Sequence, residues 1–381
     1  MPAFLVVASD LHLRPQTWVK HPELRGDAYC ALRQIVDLCL RRQLPLLLLG
    51  DIFDSARPDS QSVQIFVEQM QRLHSANLHV AYVQGNHDYA NPPWPQVANL
   101  KHLNRQLDHI GPCLFYGLDY TTDPAAAFQQ IPESATVLVA HQAWAEIQSV
   151  GHTDAKAPDL PAHIRVVLTG DYHMAGLYTG TNSAGQPVTF LSPGSTCLQA
   201  LNEPPDKYCY LMSWPYDRPE FELHPLKSRP LFRMRVTSAD ELNAVCASLR
   251  SPPTQQLVPA EISRPIARVQ YRDDLPDAFE RLVTAAGDNW HLFPEPQRVV
   301  EDVVIDMTVT PAGAFEGLLT ALPHVEPEGT AVYEATRRLL QAVDVQTELQ
   351  TLRQEFDTNY ETGALGGPEL VPACGTSALA Q

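Results

Sequence analysis

The chain has 381 residues and carries 27 Lys+Arg against 44 Asp+Glu, a formal net charge of −17. That length allows two or three domains of ordinary size, and 44 % hydrophobic with 8 % aromatic residues excludes wholesale disorder. No apolar run approaches the roughly 20 residues that span a bilayer, so no membrane partner is expected. The opening MPAFLVVASD lacks a basic stretch and a small-residue cleavage site, and reads as a strand rather than a signal peptide. The seven cysteines are scattered and form no C-x-x-C pair, which points to a reduced, cytoplasmic protein without disulfides or a thiolate zinc site. The acidity counts, at first sight, against a polyanionic partner such as DNA. It is uneven: residues 1–230 hold 16 basic and 22 acidic side chains, residues 231–381 hold 11 and 22. Twelve of the fourteen histidines fall in the first part, which places proton and metal chemistry there.

Taken in chain order, Phe4–Ala8 and Leu44–Leu49 are continuous apolar runs, the pattern of strands buried on both faces. Between them Asp27–Arg42 carries apolar residues at a helical period. Ser62–Leu73 reads as a second helix and His79–Val83 as a third strand, a β-α-β-α-β rhythm that implies a parallel sheet. Strand candidates at Thr136–Ala140, Val166–Leu168, Val188–Leu191, Tyr208–Met212 and Phe221–His224 follow at short intervals and are expected to form a second sheet. The fold class expected is thus α/β, a four-layer α/β/β/α sandwich over residues 1–225, with a linker at 226–231. A small α+β unit is expected over 232–310, from a strand at Phe232, helices Ala239–Leu249 and Pro276–Ala286, and strands Ile266–Tyr271 and Val300–Met307. Thr330–Phe356 has no Pro or Gly and an apolar spacing of three and four that slips near Asp344, a helical segment within 311–365. The final residues, 366–381, read as a frayed tail.

Chemistry-bearing residues stand where the strands end. The first strand runs into Asp10-Leu11-His12, the second into Gly50-Asp51-Ile52-Phe53-Asp54, the third into Gly85-Asn86-His87-Asp88. The strand at 136–140 ends in His141, and the one at 166–168 in Thr169-Gly170-Asp171-Tyr172-His173. The carboxyl edge of such a sheet is where α/β proteins build their sites. Carboxylate, amide oxygen and imidazole together suit Mn²⁺, Fe²⁺ or Zn²⁺. The glycines before Asp51, Asn86 and Asp171 allow sharp turns out of the strands. Singly, each motif is an ordinary turn or cap; five in order at strand ends point to a metal centre.

These motifs resemble those of the calcineurin-like metallophosphoesterase superfamily, D-x-H, G-D, G-N-H-D/E, H and G-H-x-H. Within it, GDIFDSARPDS, His141-Gln142, LSPGST and the K-S-R-P run before a small domain resemble the SbcD-type double-strand-break repair nucleases, and the length fits the shorter phage versions. The resemblance implies two divalent cations, Mn²⁺ first, with Mg²⁺, Fe²⁺ or Zn²⁺ as alternatives. It implies one cation on Asp10, His12, Asp51 and His173, and one on Asp51, Asn86, His141 and Asp171, with Asp51 bridging. Asp171 departs from the family, which has His there; it makes the second site more anionic or weaker. Two such ions about 3.5–4 Å apart activate water and neutralise phosphodiester oxygens.

His87, beside Asn86 but not assigned to a metal, is the candidate general acid. By analogy Asp54 orients it. Asp88 is expected to bond backbone amides, and Arg57 is a candidate phosphate contact. The implied function is a Mn²⁺-dependent DNA exo- or endonuclease subunit, acting on ends, hairpins or single strands. Its implied partners are DNA, an SbcC-like coiled-coil ATPase and a second copy of the chain in a homodimer. No Walker A motif is present, so ATP hydrolysis falls to the partner, and Thr330–Phe356 is its candidate docking helix. The alternatives are a small-substrate phosphodiesterase and a catalytically weak scaffold bridging DNA and ATPase. Two bound dications offset four of the negative charges in residues 1–230, so the net charge does not exclude DNA.

Overall fold

The computed structural model describes residues 2–18, 21–88, 98, 100–148, 153–251, 258–298 and 338. Two compact units divide the chain, Met1–Gln297 and Arg298–Gln381. The strand expected at Val300–Met307, the segment Thr330–Phe356 apart from Arg338, and the tail lie outside the described residues.

The first unit is built on two six-stranded mixed sheets. Strands Leu5–Ala8, Leu46–Leu49, Val80–Val83 and Lys101–His102 run parallel in the first, which is extended antiparallel by Lys207–Ser213 and Glu220–Leu226. The second is ordered Gly176–Thr181, Pro187–Ser192, Val166–Gly170, Val137–His141, Cys113–Leu118, Leu107–Ile110, its four central strands parallel. The mixed α/β class expected is therefore observed, with one correction: the strands at 207–213 and 220–226 belong to the first sheet. Leu5, Val6 and Val7 pair with Met212, Leu211 and Tyr210, so the chain returns across about 200 residues to close the free edge of the first strand.

The central strands are apolar because both faces are covered. Leu5, Val7, Leu47, Leu49, Ala81 and Val83 meet Val137, Val139, Val166 and Leu168 between the sheets. The opposite face of the first sheet, Val6, Ala8, Leu46 and Leu48, packs on helices Asp27–Arg42 and Ser60–Ser75 through Leu32, Ile35, Val36, Phe66 and Met70. Burying side chains of that size contributes about 1.5–3 kcal/mol each. The second helix starts where Asp59 accepts from the Ser62 N–H at 2.9 Å, an N-cap that satisfies a donor the helix itself leaves open. The outer face of the second sheet is covered, among the described residues, by one short helix, Pro124–Phe128, and by loops that bury Trp144 against Phe128 and Phe190.

A three-stranded parallel sheet, Leu231–Val236, Ile266–Arg272 and His291–Gln297, with helices Ala239–Arg250 and Ala278–Ala286, completes the unit. Its third strand, HLFPEPQ, escaped notice in the sequence because of Pro294 and Pro296; as an edge strand it tolerates the missing N–H groups. The 226–231 linker lies inside the compact unit, and its Arg229 is buried. That guanidinium grips Asp27 with two bonds of 2.9 Å and donates to the carbonyls of Arg25 and Arg264. Trp18 adds an edge-to-face contact to Phe293 at 5.5 Å.

Candidate metal centre

Because Leu5–Ala8, Leu46–Leu49 and Val80–Val83 are parallel, and Val137–His141 and Val166–Gly170 are parallel in the facing sheet, their carboxyl ends converge on one edge. Cross-links keep the loops in register there: the Asp10 N–H reaches the Gly50 carbonyl at 3.2 Å and the His12 N–H the Asp51 carbonyl at 2.9 Å. Four of the clustered residues, Asp10, His12, Asp51 and Asp171, hold positive φ angles of 50°, 43°, 48° and 86°. Left-handed backbone costs a non-glycine residue of order 1–3 kcal/mol, and such strain gathers at functional sites.

The side chains form two overlapping groups. His12 Nε2 lies 3.5 Å from Asp51 Oδ2, 3.9 Å from Asp10 Oδ1 and 3.2 Å from His173 Nε2. His141 Nε2 lies 3.6 Å from Asp51 Oδ1, 3.2 Å from Asn86 Oδ1 and 3.9 Å from Asp171 Oδ1. Asp51 thus turns one carboxylate oxygen to each group. Ligand atoms of Asp10, His12 and His173, and of Asp10, Asp51 and His141, lie within 4.8 Å of one another.

The outward nitrogens show what these imidazoles are set to do. His141 Nδ1 donates to the Leu49 carbonyl at 2.7 Å and His173 Nδ1 to Glu203 Oε1 at 2.8 Å. A neutral ring that donates from Nδ1 presents a lone pair at Nε2. In His141 that lone pair faces carboxylate and amide oxygens, acceptor against acceptor, in a site where Asp10 and His141 are fully buried. Such a donor set fits a divalent cation.

The electrostatics follow the same crowding. For His141 burial favours the neutral ring, but Asp51, Asp10 and Asp171 outweigh it and raise the pKa. Burial, with Asp10 and Asp51 close by, raises Asp171 despite the opposing pull of His141. Burial also opposes a charge on Glu203, yet the His173 bond, the Lys207 ammonium and the Gln199 N–H hold it down at about 2.

His87 stands at the rim, 43 % exposed, its ring edge-on to His12 with centroids 5.0 Å apart and its Nε2 3.9 Å from Asp51 Oδ2. Its Nδ1 meets the main-chain carbonyl of Asp54 at 2.8 Å. That corrects the expected pairing with the Asp54 carboxylate, which Arg14 Nη1 occupies at 2.5 Å while His12 Nδ1 stands 3.4 Å away. Asp88 accepts from the N–H groups of Ile52, Phe53 and Gly85 at 3.0–3.1 Å. Burial, opposed by the Phe53 N–H and aided by Asp51, lifts its carboxyl to about 6. Asp171 is held by Gln148 at 3.4 Å, and its N–H points at the Asp10 carboxylate. Arg57 is exposed, its N–H taken by Ser55 Oγ. Arg14, Glu203 and Lys207 were missed by sequence reasoning. They stand in no motif, and no local spacing ties Glu203 to a histidine 30 residues upstream.

Residues 5–174, a little under half of the chain, match the family model described as calcineurin-like phosphoesterase, so this part of the chain is similar to that family. Among curated proteins, an uncharacterized metallophosphoesterase, YhaO of Bacillus subtilis (strain 168), is 29 % identical over 98 residues, 24 % of either chain. The DNA double-strand break repair protein Mre11 of Nanoarchaeum equitans (strain Kin4-M) is 29 % identical over 109 residues, 28 % of this chain and 27 % of that one. The chain thus spans about a quarter of the length of these relatives. A crystal structure of TT1561 from Thermus thermophilus superposes at a TM-score of 0.36 with 14 % identity, over 58 % of this chain and 99 % of that one. No helix among the described residues is long and apolar enough to cross a membrane.

Proposed function

We propose that this chain is a two-metal DNA nuclease subunit, hydrolysing phosphodiester bonds with Mn²⁺ as its preferred ion. The observation that carries it is the position of Asp51, one carboxylate oxygen toward His12 and the other toward His141. On this reading Asp10, His12, Asp51 and His173 hold one cation, and Asp51, Asn86, His141 and Asp171 the other. When bound, the ions supply Lewis acidity, activating water and offsetting charge on the phosphodiester. The protein's own residues do the rest. Donation from Nδ1 to the Asp54 carbonyl fixes the His87 ring and leaves Nε2 facing the cluster, where its protonated form hands a proton to the leaving 3′ oxygen. Strand-end loops locked to one another hold the reacting groups in place.

DNA as the substrate draws support from the likeness to the DNA double-strand break repair protein Mre11, and the coiled-coil ATPase and second copy are proposed as partners on the resemblance of the sequence motifs to the SbcD-type nucleases. Arg57, exposed and three residues past Asp54, would meet a backbone phosphate. Arg14, 21 % exposed and committed to Asp54, is a weaker candidate for that contact.

Incubation with Mn²⁺ and linear duplex DNA, single-stranded DNA or bis-p-nitrophenyl phosphate separates the readings. The wild-type chain is expected to cut DNA, and His87→Ala to lose about 10²–10⁴ of the rate, the contribution of a positioned acid. Hydrolysis of the small ester alone would favour the small-substrate reading. No activity on any of them, with the ATPase supplied, would leave a scaffold.

A further inference from the structure

Behind His173 lies a buried ionic cluster that no sequence motif announces. Glu203 Oε1 accepts from His173 Nδ1 at 2.8 Å, and its Oε2 accepts from Lys207 Nζ at 2.7 Å, from the Gln199 N–H at 3.0 Å and from Ser195 Oγ at 3.2 Å. Lys207 is 2 % exposed and Glu203 11 %. Both carboxylate oxygens are engaged, so the group is held in one orientation. We propose that Glu203 is a positioning residue: it fixes the ring of His173 so that Nε2 faces the metal centre, with Lys207 as its counter-charge. This rests on the reading of His173 as a metal ligand.

Two arguments carry it. A buried ion pair is a weak source of stability, because two desolvated charges offset most of their attraction, and an apolar pair of similar volume serves a core as well or better. The cluster's distinguishing service is therefore the bond it makes outside itself, to His173. A ring that donates Nδ1–H to a carboxylate is locked in one tautomer and becomes a more basic ligand at Nε2. The same loop also reaches the opposite imidazole: Gln199 Oε1 takes Arg14 Nη2 at 2.7 Å, Arg14 takes Asp54, and Asp54 faces His12. Both rings whose Nε2 atoms stand 3.2 Å apart thus face carboxylates joined through residues 199–207, His173 by a hydrogen bond and His12 across 3.4 Å without one. From strand Leu231–Val236, Arg233 donates to the carbonyls of Leu201 and Glu203, pinning the loop from its far side.

The test separates positioning from mere stability. Glu203→Gln strips the charge and strands the Lys207 ammonium, so Glu203→Gln/Lys207→Met is made beside it to restore a neutral core. Glu203→Asp keeps the ion pair but draws the carboxylate back from His173. Mn²⁺ binding is titrated calorimetrically and counted after dialysis, and Co²⁺ absorption bands report ligand geometry. Wild type is expected to hold two Mn²⁺ per chain. The double variant and Glu203→Asp are expected to keep the wild-type melting transition while one of the two sites weakens roughly 10–100-fold, with altered Co²⁺ bands for that site. Wild-type affinity and an unchanged Co²⁺ spectrum in folded double variant and Glu203→Asp would overturn the proposal. So would a Glu203→Gln defect that vanishes once Lys207→Met restores stability. A wild-type chain that binds no Mn²⁺ would overturn the metal-centre reading itself, and this inference with it.

Discussion

Gly85 shows how little slack the site has at the scale of single residues. A methyl group there would fall on the carboxylate and backbone nitrogen of Asp51. Its φ is not in the left-handed region, so the glycine is required for close approach and not for its turn; Gly50, with φ of 90°, answers to both demands. The sequence motif G-N-H-D is legible as a strand-end turn, but this reason for its glycine is visible only with Asp51 in place. Gly85→Ala is expected to weaken Mn²⁺ binding by displacing the Asp51 carboxylate proposed to serve both cations, while costing about 1–3 kcal/mol of stability, the range for an overpacked interior. Metal analysis after dialysis, paired with urea denaturation, checks both; full metal occupancy in the variant would mean that Asp51 is not the shared ligand. The correction at Asp54 belongs to this scale as well. Arg14, four residues past Asp10, outbids His87 for the carboxylate because a guanidinium offers a charge-assisted bond, and the displaced imidazole takes the main-chain carbonyl instead.

Among elements, the short segment between strands Glu220–Leu226 and Leu231–Val236 carries more of the structure than a linker composition implies. Arg229 is the reason: its guanidinium is buried with the Asp27 carboxylate at the start of helix Asp27–Arg42. Breaking such a pair from one side leaves a desolvated charge and costs about 3–5 kcal/mol. Arg229→Met is therefore expected to destabilise the protein by that amount in urea denaturation, and adding Asp27→Leu to recover part of it. Equal stabilities for wild type and the single variant would refute the latch. Both helices of the first sheet were readable from their apolar period, Asp27–Arg42 to the residue. Strands Gly176–Thr181 and Leu107–Ile110 were not, because they are edges with alternating exposure and little apolar content.

For the molecule as a whole, the seat of the three-stranded sheet introduces a pH dependence away from the metal centre. Burial, with Arg264 and Arg229 close by, pushes His291 down to about 4. In the unfolded chain it titrates near 6.5. As pH falls below about 6.5 the unfolded chain takes up a proton that the folded ring refuses, so the stabilisation, complete above that pH, drains away until about pH 4. The slope is about 1.4 kcal/mol per pH unit and the whole effect of order 3 kcal/mol. The stability difference between wild type and His291→Gln, from urea denaturation at pH 7, 5.5 and 4.5, should shrink in step with pH in favour of the variant; a constant difference would show that His291 titrates normally in the fold. At this scale the acidity also takes on its meaning. The carboxylates around His12 and His141 are concentrated where cations would neutralise them, so DNA binding by the metal-free chain is expected to be weak and salt-sensitive.

Local order was determined by the sequence alone. Apolar runs buried on both faces define most of the central strands, though not Cys113–Leu118 of the second sheet, and the polar residues that follow each run define the candidate ligands, because both signals lie within a few neighbouring positions. Asp10, His12, Asp51, Asn86, His141, Asp171 and His173 could be picked out for that reason. The tertiary structure decided which of them face which, that Lys207–Ser213 closes the first sheet, that Asp54 serves Arg14 and His12, and that Glu203 stands behind His173. Those outcomes join residues about 30 to 200 positions apart through buried hydrogen bonds and charges. Such pairings are chosen by where the chain's path brings polar groups out of water together, and no local period encodes that path.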